Sequence, residues 1–181
     1  VIYGDYNPSG KLPMTFPRNV GQIPIYYNYK NTGRPGSSSS VFWSHYNDEE
    51  NAPLYPFGYG LSYTSFEYSE LKIDTKTLLI GNSINVSIKL KNSGNYKGKE
   101  VVQMYIRDKY ASVTRPVREL KGFELVELMP GETKNIKFKI SEPLLRFYSA
   151  NEVWESEAGK FDVFIGANSN ADLKETFELI K

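Results

Sequence analysis

The acid run Asp48-Glu49-Glu50 and the single histidine, His45, stand in "SVFWSHYNDEENAPLYPF" beside Trp43 and Tyr46. Aromatic rings next to carboxylates are the material of a sugar site. Rings stack under a pyranose face, and groups such as Ser44, His45 and Asp48 exchange hydrogen bonds with its hydroxyls. Trp43, Tyr46 and Asp48 are therefore the candidate substrate-binding residues. The competing reading is structural and weighs more: the rings clamp the loop to the body, and the acids form a solvated turn. Hydrolysis of a glycosidic bond with retention needs two carboxyl groups about 5–5.5 Å apart, one with a raised pKa. The acids of this chain fall mostly on polar strand faces or in turns, and Asp5 in "GDYNPSG" reads as a local cap. No residue is assigned a catalytic role. One histidine and no cysteine give no metal set and no thiolate, so no metal and no cofactor are expected. "GSSSS" at 36–40 reads as linker rather than as a strained nucleophile turn. Asn85-Val86-Ser87 is formally a glycosylation sequon, but it falls in an expected strand.

Positioning such residues requires a body, and the second part of the chain supplies one. In "INVSIKL", Ile84, Val86, Ile88 and Leu90 alternate with polar residues, and "NIKFKI" repeats the pattern with Ile136, Phe138 and Ile140. "KFDVFIG" puts Phe161, Val163 and Ile165 on one face, and "VVQMYIR" does the same with Val102, Met104 and Ile106. Period 2 means one face buried and one wet. Turn chemistry at "NSGNYKG", "MPGE", "EAGK" and "GANSNAD" separates the runs. With "FEYSELKI" and "LKETFELI" the count is about seven strands, so the expected fold is mainly β: an immunoglobulin-like antiparallel β-sandwich. "SEPLLRF" allows at most one helical turn, with Ser141 as cap and Pro143 early.

Residues 1–65 read differently. One short strand is expected at Lys11–Phe16, among Pro- and Gly-rich turns, and the aliphatics are too sparse to close a core. The stretch "PLYPFGYGLSYTSF" concentrates rings and chain breakers without a charge. It reads as a stiff joint in which Pro53 and Pro56 keep the backbone extended, Gly58 and Gly60 permit close approach, and Tyr55, Phe57, Tyr59 and Tyr63 bury into both neighbours. The 181 residues carry 22 basic and 21 acidic side chains, which gives no electrostatic case for nucleic acid. No run approaches the length that inserts into a membrane.

"GDYNPSGKLPMTFPRNVGQIPIYYNYKNTGRP" followed by "PLYPFGYGLSYTSFEYSEL" resembles the C-terminal part of glycoside hydrolase family 3 enzymes, closest to the bacterial periplasmic β-glucosidase type. "EVVQMYIRDKYASVTRPVRELKGFELVELMPGET" and "FYSANEVWESEAGKFDVFIGANS" resemble that group's fibronectin type III-like domain. The resemblance implies that residues 1–61 are the C-terminal remnant of the family's α/β sandwich domain plus an aromatic connector. Residues 62–181 would be the fibronectin type III-like β-sandwich. It also implies a barrel domain with a nucleophilic Asp and an α/β domain with an acid/base Glu, both upstream of Val1, so the isolated chain is expected to be inactive. The partners implied are those two domains of the same polypeptide and the glycoside or oligosaccharide substrate of the parent. The parent would be a retaining exo-acting β-glucosidase, or a β-xylosidase, periplasmic or secreted. The other reading is a non-catalytic immunoglobulin-like module that binds carbohydrate or protein; the orphaned first forty residues speak against it.

Overall fold

A computed structural model describes residues 1–31 and 44–180. The ten strands are β1 (Phe66–Ile73), β2 (Thr77–Leu79), β3 (Ser83–Asn92), β4 (Gly98–Asp108), β5 (Glu119–Leu128), β6 (Thr133–Ser141), β7 (Phe147–Tyr148), β8 (Trp154–Glu155), β9 (Gly159–Gly166) and β10 (Lys174–Ile180). They form a three-stranded sheet in the order β1-β3-β6, a five-stranded sheet in the order β2-β10-β9-β4-β5, and the small hairpin β7-β8. All pairings are antiparallel except that of β10 with the short β2. The expected sandwich is present.

Its core follows from the alternation. Ile84, Val86, Ile88 and Leu90 of β3 and Ile136, Phe138 and Ile140 of β6 face Val102, Met104 and Ile106 of β4 and Phe161, Val163 and Ile165 of β9 in one buried cluster. Each such side chain contributes about 1.5–3 kcal/mol on burial. Phe161 and Phe177 stack at 5.5 Å within it. Asn92 is a buried polar residue at the sheet end. Its amide donates to the carbonyls of Tyr96 and Leu128, and its oxygen accepts from Thr64 Oγ1 at 2.6 Å.

Three local expectations need correction. The Lys11–Phe16 segment is not a strand. It exchanges isolated backbone hydrogen bonds with 54–59, Leu12 N to Tyr59 O at 2.8 Å and Phe16 N to Tyr55 O at 2.9 Å, because Pro13 and Pro17 interrupt any ladder. The turn at "SEPLLRF" is a single 3-10 turn, Glu142–Leu145, and Ser141 makes no side-chain capping bond. The Glu142 carboxylate instead accepts from Arg146 at 2.8 and 2.9 Å and from Ser156 at 2.6 Å, which holds its pKa below the usual range. Finally, β4 does not keep one face wet: Gln103 and Tyr105 are as buried as Val102 and Met104. The reason lies in the first sixty residues.

Candidate functional site

The loop at 44–52 is held against residues 16–22 by a set of polar contacts. Arg18 Nη2 donates to Glu50 Oε2 at 2.9 Å, Arg18 Nε donates to the Ala52 carbonyl at 3.1 Å, and Glu49 lies 3.8 Å from the same guanidinium. Gln22, which is buried, donates to the Glu50 carbonyl at 2.8 Å while its oxygen accepts from Arg18 N. Asn51 braces the turn from within, donating to the Ser44 carbonyl at 2.7 Å and accepting from Tyr46 N at 3.1 Å.

Tyr46 and Asp48 come together on the lip of an open depression of about 490 Å³ lined by residues 45–50. The Tyr46 hydroxyl donates to the Gly21 carbonyl at 3.3 Å, and its ring stays half-exposed; Asp48 is exposed. Tyr46 thus clamps the loop with its hydroxyl and leaves a ring face to solvent. Trp43 lies outside the described residues. Glu49 and Glu50 serve Arg18, and among the described residues no group of three or more His, Asp or Glu side chains is arranged to hold a metal. Asp5 is exposed on a separate groove of about 690 Å³, shared with Tyr6, Tyr63, Tyr96 and Lys97.

The only carboxyl whose pKa burial pushes up among the described residues is Asp108, to about 6. It sits at the end of β4. One oxygen accepts from Tyr110 N at 3.3 Å, and the other is buried without a hydrogen-bond partner among the described residues. It lines neither cavity.

The joint accounts for the doubly buried β4. Phe57 stacks on Tyr27 at 4.3 Å, and Tyr27 meets Tyr105 edge-on at 5.9 Å; both cover the outer face of the five-stranded sheet beside Phe164 and Leu120. Gln103 bridges beneath them, donating to the carbonyls of Gly58 at 3.1 Å and Ala167 at 2.6 Å while its oxygen accepts from Tyr105 at 2.5 Å. Gly58 has φ +80°, and a Cβ there would stand 2.1 Å from Gln103 Oε1. Of the four joint rings, Phe57 alone enters this cluster. Tyr55 stacks on Tyr59 at 4.9 Å and stays half-exposed, as does Tyr63, whose hydroxyl donates to the Val1 carbonyl.

A second tie crosses to the sandwich from Lys11. Its ammonium donates to both oxygens of Glu100 at 3.0 Å, and the Tyr68 hydroxyl donates to Glu100 Oε1 at 2.9 Å. Burial and the adjacent carboxylate drive the Tyr68 pKa up. Lys11, Glu100, Gln103 and Tyr27 escaped the sequence reading. Glu100 was findable, since the phase of Val102, Met104 and Ile106 puts it on the buried face.

Residues 1–63 match the model of the glycosyl hydrolase family 3 C-terminal domain, and residues 100–169 match that of a fibronectin type III-like domain. A periplasmic beta-glucosidase of Salmonella typhimurium is 47% identical over 99% of this chain, and a putative beta-xylosidase of Formosa agariphila is 45% identical over all of it. A beta-glucosidase of Listeria innocua, solved in complex with glucose, superposes with a TM-score of 0.88 over 97% of this chain at 43% identity. The chain spans about a quarter of the length of each, 24%, 23% and 25%. Both matched models and these relatives identify the chain as C-terminal sequence of glycosyl hydrolase family 3.

Proposed function

We propose that this chain is the C-terminal portion of a β-glucosidase, a retaining exo-acting hydrolase of terminal β-D-glucosyl residues, and that it buttresses the catalytic domains without supplying a catalytic residue. The observation that carries the reading is the pairing of similarity over nearly the whole chain, at 41–47% identity, to enzymes named beta-glucosidase with an acid inventory unfit for the reaction. The loop acids are spent on Arg18 or stand exposed, and the one raised carboxyl, Asp108, lies in neither groove. The nucleophilic Asp and the acid/base Glu belong, on this reading, to barrel and α/β domains preceding Val1. Residues 1–61 are the end of that α/β domain with its connector, and residues 62–181 are the fibronectin type III-like sandwich. Trp43, Tyr46 and Asp48 border the outer sugar subsite of the assembled enzyme. The likeness to a periplasmic relative supports a periplasmic or secreted location; among the described residues no helix is long and apolar enough to cross a membrane.

The test is hydrolysis of an aryl β-glucoside by the 181-residue chain and by the polypeptide extended upstream. Release is expected from the longer protein only. Turnover by the short chain that survives contaminant controls sinks the reading. Because two of the similar relatives are named as beta-xylosidases, the same assay on aryl β-xyloside decides between the two sugars.

A further inference from the structure

The hairpin β7-β8 presents two exposed aromatic side chains on one face and has a fastened back. Tyr148 and Trp154 are direct cross-strand partners, so their side chains share one face, and they are 60% and 65% exposed. Directly paired positions put Cβ atoms about 4.5–5.5 Å apart, so both large rings project from neighbouring points of one face. The opposite face is locked. Phe147 is fully buried, and the Arg115 guanidinium lies 4.3 Å over its ring. Ser149 Oγ donates to Glu155 Oε1 at 2.6 Å, Asn151 Nδ2 donates to the same oxygen at 3.0 Å, and the loop residue Ser112 ties both ends, through Ala150 N at 3.1 Å and Glu157 Oε2 at 2.8 Å. A fixed hairpin holding two rings in water, next to acceptor groups, is a preorganised binding surface.

Its size and charge select the occupant. Two rings of roughly 150–250 Å² each, exposed to this degree, offer about 190–310 Å², well short of the ~800 Å² per partner that a stable protein interface buries. The stretch "FYSANEVWESEAG" holds three glutamates and no lysine or arginine, which disfavours phosphates and nucleic acid. Neutral, hydroxyl-rich rings suit it: pyranose faces lie on Tyr148 and Trp154 while hydroxyls donate to the exposed Glu152 of the hairpin turn. We propose that Tyr148 and Trp154 form a stacking platform for neutral β-linked gluco-oligosaccharides. The choice of sugar rests on the β-glucosidase reading; the platform rests on the hairpin.

The test is titration of the 181-residue chain with laminarihexaose and with cellohexaose by calorimetry, repeated on Trp154→Ala and Tyr148→Ala. Binding is expected, with each substitution weakening it about three- to ten-fold, as loss of one stacked ring does, and with the thermal midpoint unchanged. Absence of binding by the unaltered chain overturns the proposal, as does undiminished affinity in Trp154→Ala. Self-association that Trp154→Ala abolishes also overturns it, by showing a second copy on the face. Oligosaccharide binding here with no glucoside hydrolysis by the upstream-extended protein leaves the platform standing and removes the glucosidase reading; the reverse pair of results removes the platform alone.

Discussion

Replacing Lys11 with methionine keeps most of the side-chain volume and strands the Glu100 carboxylate, which is 4% exposed, without its cation. At 3.0 Å and an effective dielectric constant near 20, the lost attraction is about 5 kcal/mol. The Tyr68 bond at 2.9 Å is present in both proteins and cancels from the difference, but removing the ammonium also removes its own desolvation cost, which returns roughly 2–3 kcal/mol. The expected net loss is therefore about 3 kcal/mol, at the low end for a broken buried pair. For a chain of this length that corresponds to a fall in midpoint of roughly 6–12 °C. Glu100→Gln should cost less, because Lys11 is 13% exposed and its flexible stem can carry the ammonium to water. Thermal and urea unfolding of both single variants and the double variant would give a coupling of about 2 kcal/mol, little changed by 1 M salt because the pair is buried. A Lys11→Met loss below about 0.5 kcal/mol, or a coupling near zero, would refute the claim that this contact fastens the first segment to the sandwich.

Asp108 gives a pH-dependent prediction. Its folded pKa is raised from 3.8 to about 6, so its contribution is present below about pH 4 and is lost as pH rises through 6. Asp108→Asn should stabilise the chain at pH 7.5 by about 1–2 kcal/mol, allowing for partial exposure, and lose that advantage near pH 4; equal effects at both pH values would contradict this. Gly58→Ala should destabilise by about 2–4 kcal/mol in thermal melts, because a left-handed backbone and a 2.1 Å clash with Gln103 coincide there. Gly81→Ala, at φ +86° with nothing within 4 Å, should cost only about 1 kcal/mol. Limited proteolysis is expected to cut first within 31–52, and the two pieces should co-elute, held by Lys11–Glu100 and the Tyr27–Phe57 stack; separation on a sizing column would show those ties to be weak.

The sandwich was legible because burial there is one-sided wherever it follows the inner faces: Ile84 to Leu90 and Ile136 to Ile140 alternate as their phase demands. Strand β5 escaped because "ELKGFELVEL" carries Leu120, Phe123 and Leu125 on its outer face and Gly122 at a register shift, which blurs the period. The outer face of β4 was misjudged because local pattern says nothing about Tyr27 and Phe57, which arrive from distant segments to cover it. In the candidate site, Tyr46 and Asp48 share one depression because they are two residues apart in the chain. Arg18 and Gln22, which hold that loop, come from a distant segment and left no periodic trace.

The cover over Tyr105 and Gln103 has a practical outcome for anyone dissecting the molecule. A piece trimmed to begin at position 62 would leave a greasy tyrosine and Phe164 bare and an amide robbed of one of its acceptors. Such a piece should clump on storage, whereas one retaining Tyr27 and Phe57 should stay dispersed. The stretch of chain expected to fold as one unit is thus wider than the stretch that looks like a sandwich.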